Sequence, residues 1–250
     1  MMPDTYRLLS MRQDIYWWHR ARRFLTATML SDFGLKSNLT LLDVGCGPGG
    51  NFDIVKQFPQ SNLIGVDLSP IALNEAKKKK GMATLVRLDI NDPFPFRNET
   101  FDVATIFNVL YHSWVTNETK ILKEIFRVLK PGGLLLITEP AFPVLFREMD
   151  ILAMGNKRYK LSEIQSYAQT SGFSTLMGSY FTSFGFLAII LRKLLKTLKF
   201  PVPKIEADTR KISSKTNEFL YHAACVEAHL IKVGIRIPLG TTLLYIGHRP

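Results

Sequence analysis

Short apolar stretches alternate with amphipathic stretches between residues 39 and 138. The apolar stretches have the length of buried strands, and the amphipathic ones carry apolar residues at helical spacing. This alternation is typical of a mostly parallel α/β sheet, because each helix returns the chain to the edge where the next strand begins. The predicted strands are Thr40–Val44, Asn62–Val66, Thr84–Leu88, Phe101–Phe107 and Gly133–Thr138, and the predicted helices are Phe52–Phe58, Pro70–Lys80 and Glu118–Leu129.

The chain outside this core adds further elements. A helix is predicted before it at Asp14–Leu30, and Pro131–Gly133 is predicted as the turn into the fifth strand. After the fifth strand come the segment Phe142–Met154, a predicted helix at Leu161–Ser171, and predicted strands at Ser174–Phe181 and Thr241–His248.

A basic helical stretch separates the last two predicted strands. Residues 184–236 show helical spacing and are interrupted at Pro201 and Pro203. Eight basic and two acidic residues lie between positions 191 and 216, which accounts for more than half of the net charge of +11. We therefore divide the single domain 1–250 into a helical lid at 1–38, an α/β core at 39–182 and 238–250, and a basic cap inserted at 183–237.

The leucines of residues 184–200 recur at helical spacing among basic residues. Two interpretations are open. The helix docks its leucines on the domain, which we favour, or it lies on an anionic membrane surface as a peripheral contact.

Composition narrows the class of protein. Hydrophobic residues make up 46% and charged residues 21%, as in ordinary globular domains. The two cysteines, Cys46 and Cys225, cannot form a disulfide framework or a four-cysteine zinc site. No uncharged apolar run approaches the ~18 residues of a spanning helix, and no signal peptide is recognisable. We expect a cytoplasmic protein without a metal site.

A glycine-rich loop, Asp43–Gly50, follows the first predicted strand. Glycines lack Cβ atoms, so the backbone can take positive φ and approach a ligand closely. Asp67 ends the next strand about twenty residues later, where a carboxylate can accept hydrogen bonds from two ribose hydroxyls. The pattern predicts a cofactor that contains a nucleoside.

Two cofactor classes fit such a loop. Gly45, Gly47 and Gly50 satisfy the G-x-G-x-x-G spacing of dinucleotide sites, in which amides at a helix N-terminus bind a pyrophosphate. Pro48 removes one of these amides, and Asp43 places a negative charge beside the loop. That charge repels phosphate but suits the ammonium and sulfonium groups of S-adenosylmethionine (SAM), so the residues favour SAM over NAD.

Five segments, in order and at suitable spacing, resemble the motifs of the class I SAM-dependent methyltransferases. They are Leu41–Gly50, Gly65–Pro70, Leu88–Ile90, Phe101–His112 and Arg127–Gly133. The resemblance implies a Rossmann-like, doubly wound sheet of seven strands, mostly parallel with the last strand antiparallel. It also implies SAM as methyl donor and S-adenosylhomocysteine as product. Trp17-Trp18 and Arg22-Arg23 further resemble the opening helix of a narrower bacterial and archaeal group, often associated with surface-polysaccharide or lipid-linked sugar pathways.

The resemblance assigns roles in cofactor binding. Arg22 would pair with the methionine carboxylate, with a solvated arginine as the alternative. The other implied cofactor residues are Asp43 for loop order and the amino group, Gly45, Cys46, Gly47 and Gly49 along the methionine portion, Asp67 for the ribose, Leu68, Asp89 and Ile90 around the adenine, and Phe107 and Asn108 for the methionine ammonium.

The acceptor site is predicted less directly. Methyl transfer needs alignment and exclusion of water, and it needs a base only where the acceptor loses a proton. His112 is our candidate base, with a packed structural histidine as the alternative, and Tyr111-His112 departs from the Glu-His of many relatives. The candidate acceptor-site residues are Tyr16, Trp18, Tyr111, Asp150 and Tyr159.

Three functions are open from the sequence. The first is methyl transfer to a small molecule or to a glycan or lipid-linked acceptor. The second is RNA methylation, suggested by a pI of about 9.7 but unsupported by any RNA-binding module or Asn/Asp-Pro-Pro-aromatic motif. The third is a SAM-binding regulatory or assembly protein without catalysis. The oligomeric state is not predicted.

Overall fold

Seven strands form one sheet in the computed structural model, which describes residues 10–79, 83–198 and 212–250. In chain order they are β1 Thr40–Val44, β2 Asn62–Asp67, β3 Thr84–Arg87, β4 Phe101–Phe107, β5 Leu129–Pro140, β6 Ser174–Phe181 and β7 Thr242–His248. Their order across the sheet is β3-β2-β1-β4-β5-β7-β6. Strand β7 runs antiparallel to β5 and β6, and the other neighbouring pairs are parallel. The predicted sheet is confirmed.

Helices flank the sheet and bury two apolar clusters. Because successive side chains of a strand point to opposite faces, Leu42 of β1 belongs to one cluster and Leu41 to the other. The helices are α1 Trp17–Asp32, α2 Pro70–Ala76, α3 Glu118–Val128, α4 Glu148–Leu152, α5 Leu161–Thr170, α6 Ser183–Thr197 and α7 Ser214–Lys232, with short 3₁₀ helices at Phe52–Gln57 and Pro143–Leu145.

Two local predictions are wrong. Pro131–Gly133, predicted as a turn, lie within β5, and a register shift between β4 and β5 near Phe101 accommodates the added residues. The predicted helix Phe52–Phe58 is a 3₁₀ helix that ends at Gln57. Phe58 follows it in extended backbone, as expected for the residue before Pro59, so the segment is too short to settle into an α-helix.

Helix α7 holds the first residues of α1 and α6. The side-chain oxygen of Asn217 accepts a hydrogen bond from the backbone N of Trp17 at 2.9 Å, and its amide group donates to a carbonyl just before α1. The carboxylate of Glu227 accepts hydrogen bonds from the backbone N of Thr182 at 2.6 Å and of Ser183 at 3.0 Å. Both polar side chains are buried. The predicted cap therefore contains a scaffold for two other helices.

Helix α6 turns one apolar face to solvent. Four leucines at helical spacing form this face, and between 54% and 64% of the surface of each is exposed. They are Leu187, Leu191, Leu194 and Leu198. The interpretation that the leucines dock on the domain is wrong for these four, because more than half of the surface of each is exposed. Other basic residues of the predicted cap, namely Lys199, Lys204, Arg210 and Lys211, lie outside the described residues, as does the side chain of Lys196. Within the described ranges, no helix is both long enough and apolar enough to cross a bilayer.

Candidate active site

The glycine loop takes backbone conformations that favour glycine. Gly45, Gly47 and Gly49 have φ angles of 70°, 54° and 77°, in the left-handed region that a Cβ atom disfavours. A Cβ at Gly45 would lie 2.3 Å from the Cγ2 of Val109, whereas one at Gly47 would meet no described atom within 4 Å. Packing therefore requires the first glycine, and the space in front of Gly47 is open to a ligand.

Asp67 ends β2 and fixes the loop beside it. One carboxylate oxygen accepts a hydrogen bond from the backbone N of Gly47 and the other from that of Ser69, each at 2.8 Å. Burial raises the pKa of Asp67 despite these two amides. A carboxylate oxygen has two acceptor positions, so both oxygens keep capacity for ribose hydroxyls. Leu68 follows with 41% of its surface exposed, as a side chain that covers a base requires.

A buried polar chain joins the lid helix to β1. Arg22 donates through Nη2 to the side-chain oxygen of Asn51 at 3.2 Å, and the amide group of Asn51 donates to Asp43 at 3.4 Å. The hydroxyl of Thr105 donates to the other oxygen of Asp43 at 2.8 Å. Burial raises the pKa of Asp43 to about 6 and lowers that of Arg22 to about 10. Asn51 was missed in the sequence, because a single asparagine after the last glycine has no distinctive pattern.

Arg22 is not the solvated arginine of the alternative interpretation. Only 7% of its surface is exposed, and its Nε has no hydrogen-bond partner within the described structure. Its guanidinium carbon lies 4.9 Å from the ring centroid of Trp18 and 5.2 Å from that of Phe107. A buried donor without an acceptor is costly, so this position suits an anionic group on a bound ligand.

The lid is also attached to the glycine loop directly. Gln13 donates from its side-chain amide to the carbonyl of Pro48 at 3.0 Å, and Arg23 donates to the carbonyl of Gly50 at 2.8 Å. Two backbone carbonyls of the loop thus gain hydrogen-bond donors from the lid. These two bonds fix the position of α1 over the loop. Gln13 was missed as a site residue, because it precedes the predicted helix and belongs to no motif.

Glu139 is a fully buried carboxylate at the end of β5. It accepts hydrogen bonds from the backbone N atoms of Val109 at 2.9 Å, Leu110 at 2.8 Å and Tyr111 at 3.3 Å. Burial raises its pKa to about 8, and the three amides and Arg22 oppose that shift. These bonds hold the loop after β4. The sequence offered one signal that we did not use, a lone carboxylate inside an apolar strand.

A cavity of about 270 Å³ lies beyond this loop. It touches the methionine end of the predicted cofactor site through Arg22 and Asn108. Four of the five predicted acceptor-site residues line it, which are Tyr16, Trp18, Tyr111 and Asp150. The remaining lining residues are Trp17, Pro140, Arg147, Met149, Ala153, Arg158, Phe181, Thr182, Thr241 and Thr242. The structure thus brings together residues from α1, the loop after β4, α4 and the ends of β5, β6 and β7.

A buried ion pair forms one wall of the cavity. Arg158 donates to both carboxylate oxygens of Asp150, with Nη2 at 2.8 Å and Nε at 3.0 Å. Asp150 also accepts the backbone N of Arg147 at 2.8 Å, and Arg158 donates to the carbonyl of Ala141 at 3.3 Å. The two charged groups therefore satisfy each other and join α4 to the segment that follows it. The pairing of Arg158 with Asp150 was not predicted from the sequence.

His112 lies outside this cavity. Its ring stacks on Trp114, with centroids 3.9 Å apart, and its Nδ1 is buried without a partner in the described structure. Burial lowers the pKa of His112 to about 4, so the ring is neutral near pH 7 and a weak base. The structure therefore favours the alternative interpretation, in which His112 packs the loop after β4.

Tyr159 is the predicted acceptor-site residue that does not line the cavity. Its ring is 2% exposed, and its hydroxyl lies 2.7 Å from a carboxylate oxygen of Glu118 and 2.8 Å from the carbonyl oxygen of Leu110. Lys157 also pairs with Glu118. Burial and the neighbouring carboxylates raise the pKa of the Tyr159 hydroxyl. This tyrosine joins α3 to the loop after β4 and corrects our assignment to the acceptor site.

The predicted adenine side lies at the end of β3. Asp89 accepts hydrogen bonds from the backbone and side chain of Asn91 through one carboxylate oxygen, and Ile90 is buried beside it. Cys46 is also buried, and burial raises the pKa of its thiol. Among the residues that the structure describes, no group of three His, Cys, Asp or Glu side chains is arranged to hold a metal ion.

The chain is similar in sequence to known methyltransferases. Residues 42–137 match the family model described as a methyltransferase domain. The chain is 33% identical to demethylmenaquinone methyltransferase of Lactococcus lactis over 144 residues, which are 55% of this chain and 53% of that protein. It is 30% identical to trans-aconitate 2-methyltransferase of an Azoarcus strain over 113 residues, 45% of this chain and 43% of that protein. The chain thus spans about half the length, or less, of these curated relatives.

Solved structures share the fold at low sequence identity. A chain in the complex between the Haloferax volcanii Trm112 methyltransferase activator and a methyltransferase has a TM-score of 0.64 and 18% identity, with 99% of this chain and 94% of that chain covered. Phosphoethanolamine N-methyltransferase 2 of Haemonchus contortus, solved with SAM, has a TM-score of 0.57 and 22% identity, covering 90% of this chain and 52% of that one.

The narrower bacterial and archaeal group stays a prediction. The family model, by contrast, covers the glycine loop, Asp67 and Asp89, and the solved structures share the overall fold. Residues 42–137 match the methyltransferase domain family, and the chain has the fold of the solved methyltransferase structures.

Proposed function

We propose that this protein transfers the methyl group of SAM to a small-molecule acceptor or to the glycan part of a lipid-linked acceptor. The observation that carries the proposal is the shared boundary between two spaces. Arg22 and Asn108 belong to the predicted cofactor site and also line the cavity of about 270 Å³. An acceptor in this cavity would therefore lie next to the methionine end of the cofactor.

The residues present fit SAM. The open space at Gly47 would let the methionine portion of SAM lie against the backbone of the loop. Asp67 retains acceptor capacity for the ribose hydroxyls. Exposed Leu68 offers an apolar surface for the adenine. Arg22, with its unpaired buried Nε, is placed for the methionine carboxylate, and arginine is suited to bidentate carboxylate binding.

Bound SAM supplies a methyl group on a positively charged sulfur, which is a good leaving group. The task of the protein is then to align the acceptor with the methyl carbon and to exclude water. The lid performs the second task, because Gln13 and Arg23 hold α1 over the glycine loop. Among the described cavity-lining residues, the one carboxylate, Asp150, is already paired with Arg158. We therefore assign the rate enhancement to alignment and assign no proton transfer to a side chain.

Calorimetric titration with S-adenosylhomocysteine tests the cofactor assignment. We expect micromolar binding to the full chain, no binding of NAD, and a loss of at least about a hundredfold in Asp67→Ala, because charge-assisted hydrogen bonds to the ribose are lost. Asp32→Ala removes an exposed carboxylate at the end of α1 and should bind normally. Absence of binding to folded wild-type protein, with SAM as well as with its product, would overturn the proposal.

Transfer of radiolabelled methyl groups from SAM distinguishes the alternative functions. Label incorporation into lipid-linked sugars or small molecules supports the proposal. Incorporation into RNA, together with RNA affinity that falls steeply with salt, would replace it with RNA methylation. Cofactor binding without turnover of any acceptor would favour the regulatory or assembly role.

We also propose that the exposed leucine face of α6 contacts an anionic membrane surface. Four leucines with more than half of their surface exposed are an unusual feature of a solvated helix, and Arg192 and Lys193 accompany them. Flotation with vesicles containing anionic lipid should recover wild-type protein, whereas Leu187→Gln combined with Leu194→Gln should remain unbound. Equal recovery of wild type and variant, or recovery of neither, would rule out this contact.

A further inference from the structure

Three arginines line the cavity, Arg22, Arg147 and Arg158, and Asp150 is the one acidic residue that lines it. Arg158 and Asp150 neutralise each other in a bidentate pair whose side chains are 4% and 7% exposed. Arg22 reaches Asn51 and lies near the buried carboxylates Asp43 and Glu139. The remaining donors of Arg22 are assigned to the methionine carboxylate in the proposed function. Arg147 is therefore the cavity arginine that is left for an acceptor.

The guanidinium of Arg147 makes no hydrogen bond or ion pair to any described residue, and its Nε is buried. The backbone N of the same residue is fixed by Asp150 at the start of α4, which holds the side chain at the cavity wall. A guanidinium has five donors in a planar fork, and a buried donor without an acceptor destabilises the protein. A ligand oxyanion would remove that destabilisation.

The rest of the cavity wall has a different chemistry. Tyr16, Trp17, Trp18 and Tyr111 contribute aromatic rings, and Met149 adds an apolar and adaptable side chain. The volume of about 270 Å³ lies at the lower limit for small-molecule sites. The cavity therefore combines one available cation with walls that suit a small, flat or apolar group.

We propose that Arg147 binds an oxyanion group, a carboxylate or a phosphate, on the methyl acceptor, whose apolar part lies among the aromatic residues. The proposal rests on the proposed function, because it takes the cavity as the acceptor site. It names Arg147 as a residue that determines acceptor specificity. The oxyanion belongs to either a free metabolite or the head of a larger acceptor, and both present the same chemistry to the guanidinium.

Benzoate, phenyl phosphate and benzyl alcohol form a matched set of probes with one ring and different charge. Each is titrated by calorimetry into the full chain saturated with S-adenosylhomocysteine. We expect one or both anions to bind at least tenfold more tightly than the alcohol. Arg147→Gln should remove that preference, and Arg147→Lys should restore part of it. Arg97→Gln changes an exposed arginine that does not line the cavity, and it should leave the preference unchanged.

The outcomes separate this inference from the proposed function. If wild type binds S-adenosylhomocysteine but binds neither anion more tightly than the alcohol, the inference is wrong and the proposed function stands. The same holds if Arg147→Gln retains the preference. If Arg147→Gln instead weakens S-adenosylhomocysteine binding, the arginine serves the cofactor and the inference is also wrong. If the wild type does not bind S-adenosylhomocysteine, the proposed function itself fails. Preference for benzoate indicates a carboxylate acceptor, and preference for phenyl phosphate indicates a phosphorylated one.

Discussion

The two halves of the site are built in different ways. The cofactor half comes from consecutive strand ends, with the glycine loop after β1 and Asp67 at the end of β2 joined by a single hydrogen bond. The acceptor half combines α1, α4 and the ends of β5, β6 and β7, and side chains from α7 hold two of these parts. The first half depends on local backbone geometry, and the second on contacts between residues far apart in the sequence.

The largest expected effect concerns the cofactor half. Gly45→Ala should lower the free energy of unfolding by more than about 3 kcal/mol, because a Cβ there meets both a left-handed φ and Val109 at 2.3 Å. Gly34→Ala has the same kind of φ but open surroundings, and should cost only about 1 kcal/mol. Chemical denaturation measures both, and equal losses would show that the close approach does not matter.

A smaller effect is expected from the scaffold of the acceptor half. Asn217→Ala should lower the free energy of unfolding by about 2 kcal/mol, since the cap of α1 and a second buried hydrogen bond are lost. Lys215→Ala, at an exposed position in the same turn, should be neutral. Hydrogen exchange of α1 should accelerate in the first variant. Unchanged exchange would mean that α7 does not hold the lid.

The pH dependence of stability should report on Glu139, the carboxylate that holds the loop after β4. Glu139 has a folded pKa of about 8, above its ordinary value of 4.5. Its contribution to the free energy of unfolding is therefore complete below the ordinary pKa and is lost as the pH rises through 8. The slope between pH 5 and 8 is at most about 1.4 kcal/mol per pH unit. Glu139→Gln should flatten this slope relative to wild type in denaturant titrations at several pH values. A variant that keeps the wild-type slope would assign the slope to another group.

The smallest expected effect concerns His112. His112→Phe retains an aromatic ring against Trp114 and removes a buried nitrogen without a partner, so turnover should stay within about twofold of wild type. Its pH–rate profile should match that of the wild type. A loss of a hundredfold or more, with a change in the profile, would restore His112 as a base.

The sequence made the sheet and the cofactor half predictable for one physical reason. Gly45 and Gly47 need conformations that few other residues adopt, and Asp67 stands at a strand end, so each leaves a local pattern. Asn217 leaves none, because its partner is a backbone group 200 residues away. Glu139 stands out as a lone carboxylate in an apolar strand, but the strand does not reveal that its partners are backbone groups about 30 residues away. The exposed face of α6 was misjudged because helical spacing of leucines does not reveal what covers them.

The position of β7 has a consequence for biosynthesis. Strand β7 follows β6 in the chain, yet it lies between β5 and β6 in the sheet. While the ribosome is still making residues 242–248, β5 has an unpaired edge and β6 has no neighbour to join. A nascent or prematurely terminated chain therefore exposes strand edges that invite aggregation or proteolysis. Only a chain translated through His248 can join β5 and β6 through β7, so this half of the sheet closes later in synthesis than the half that contains β1 to β4.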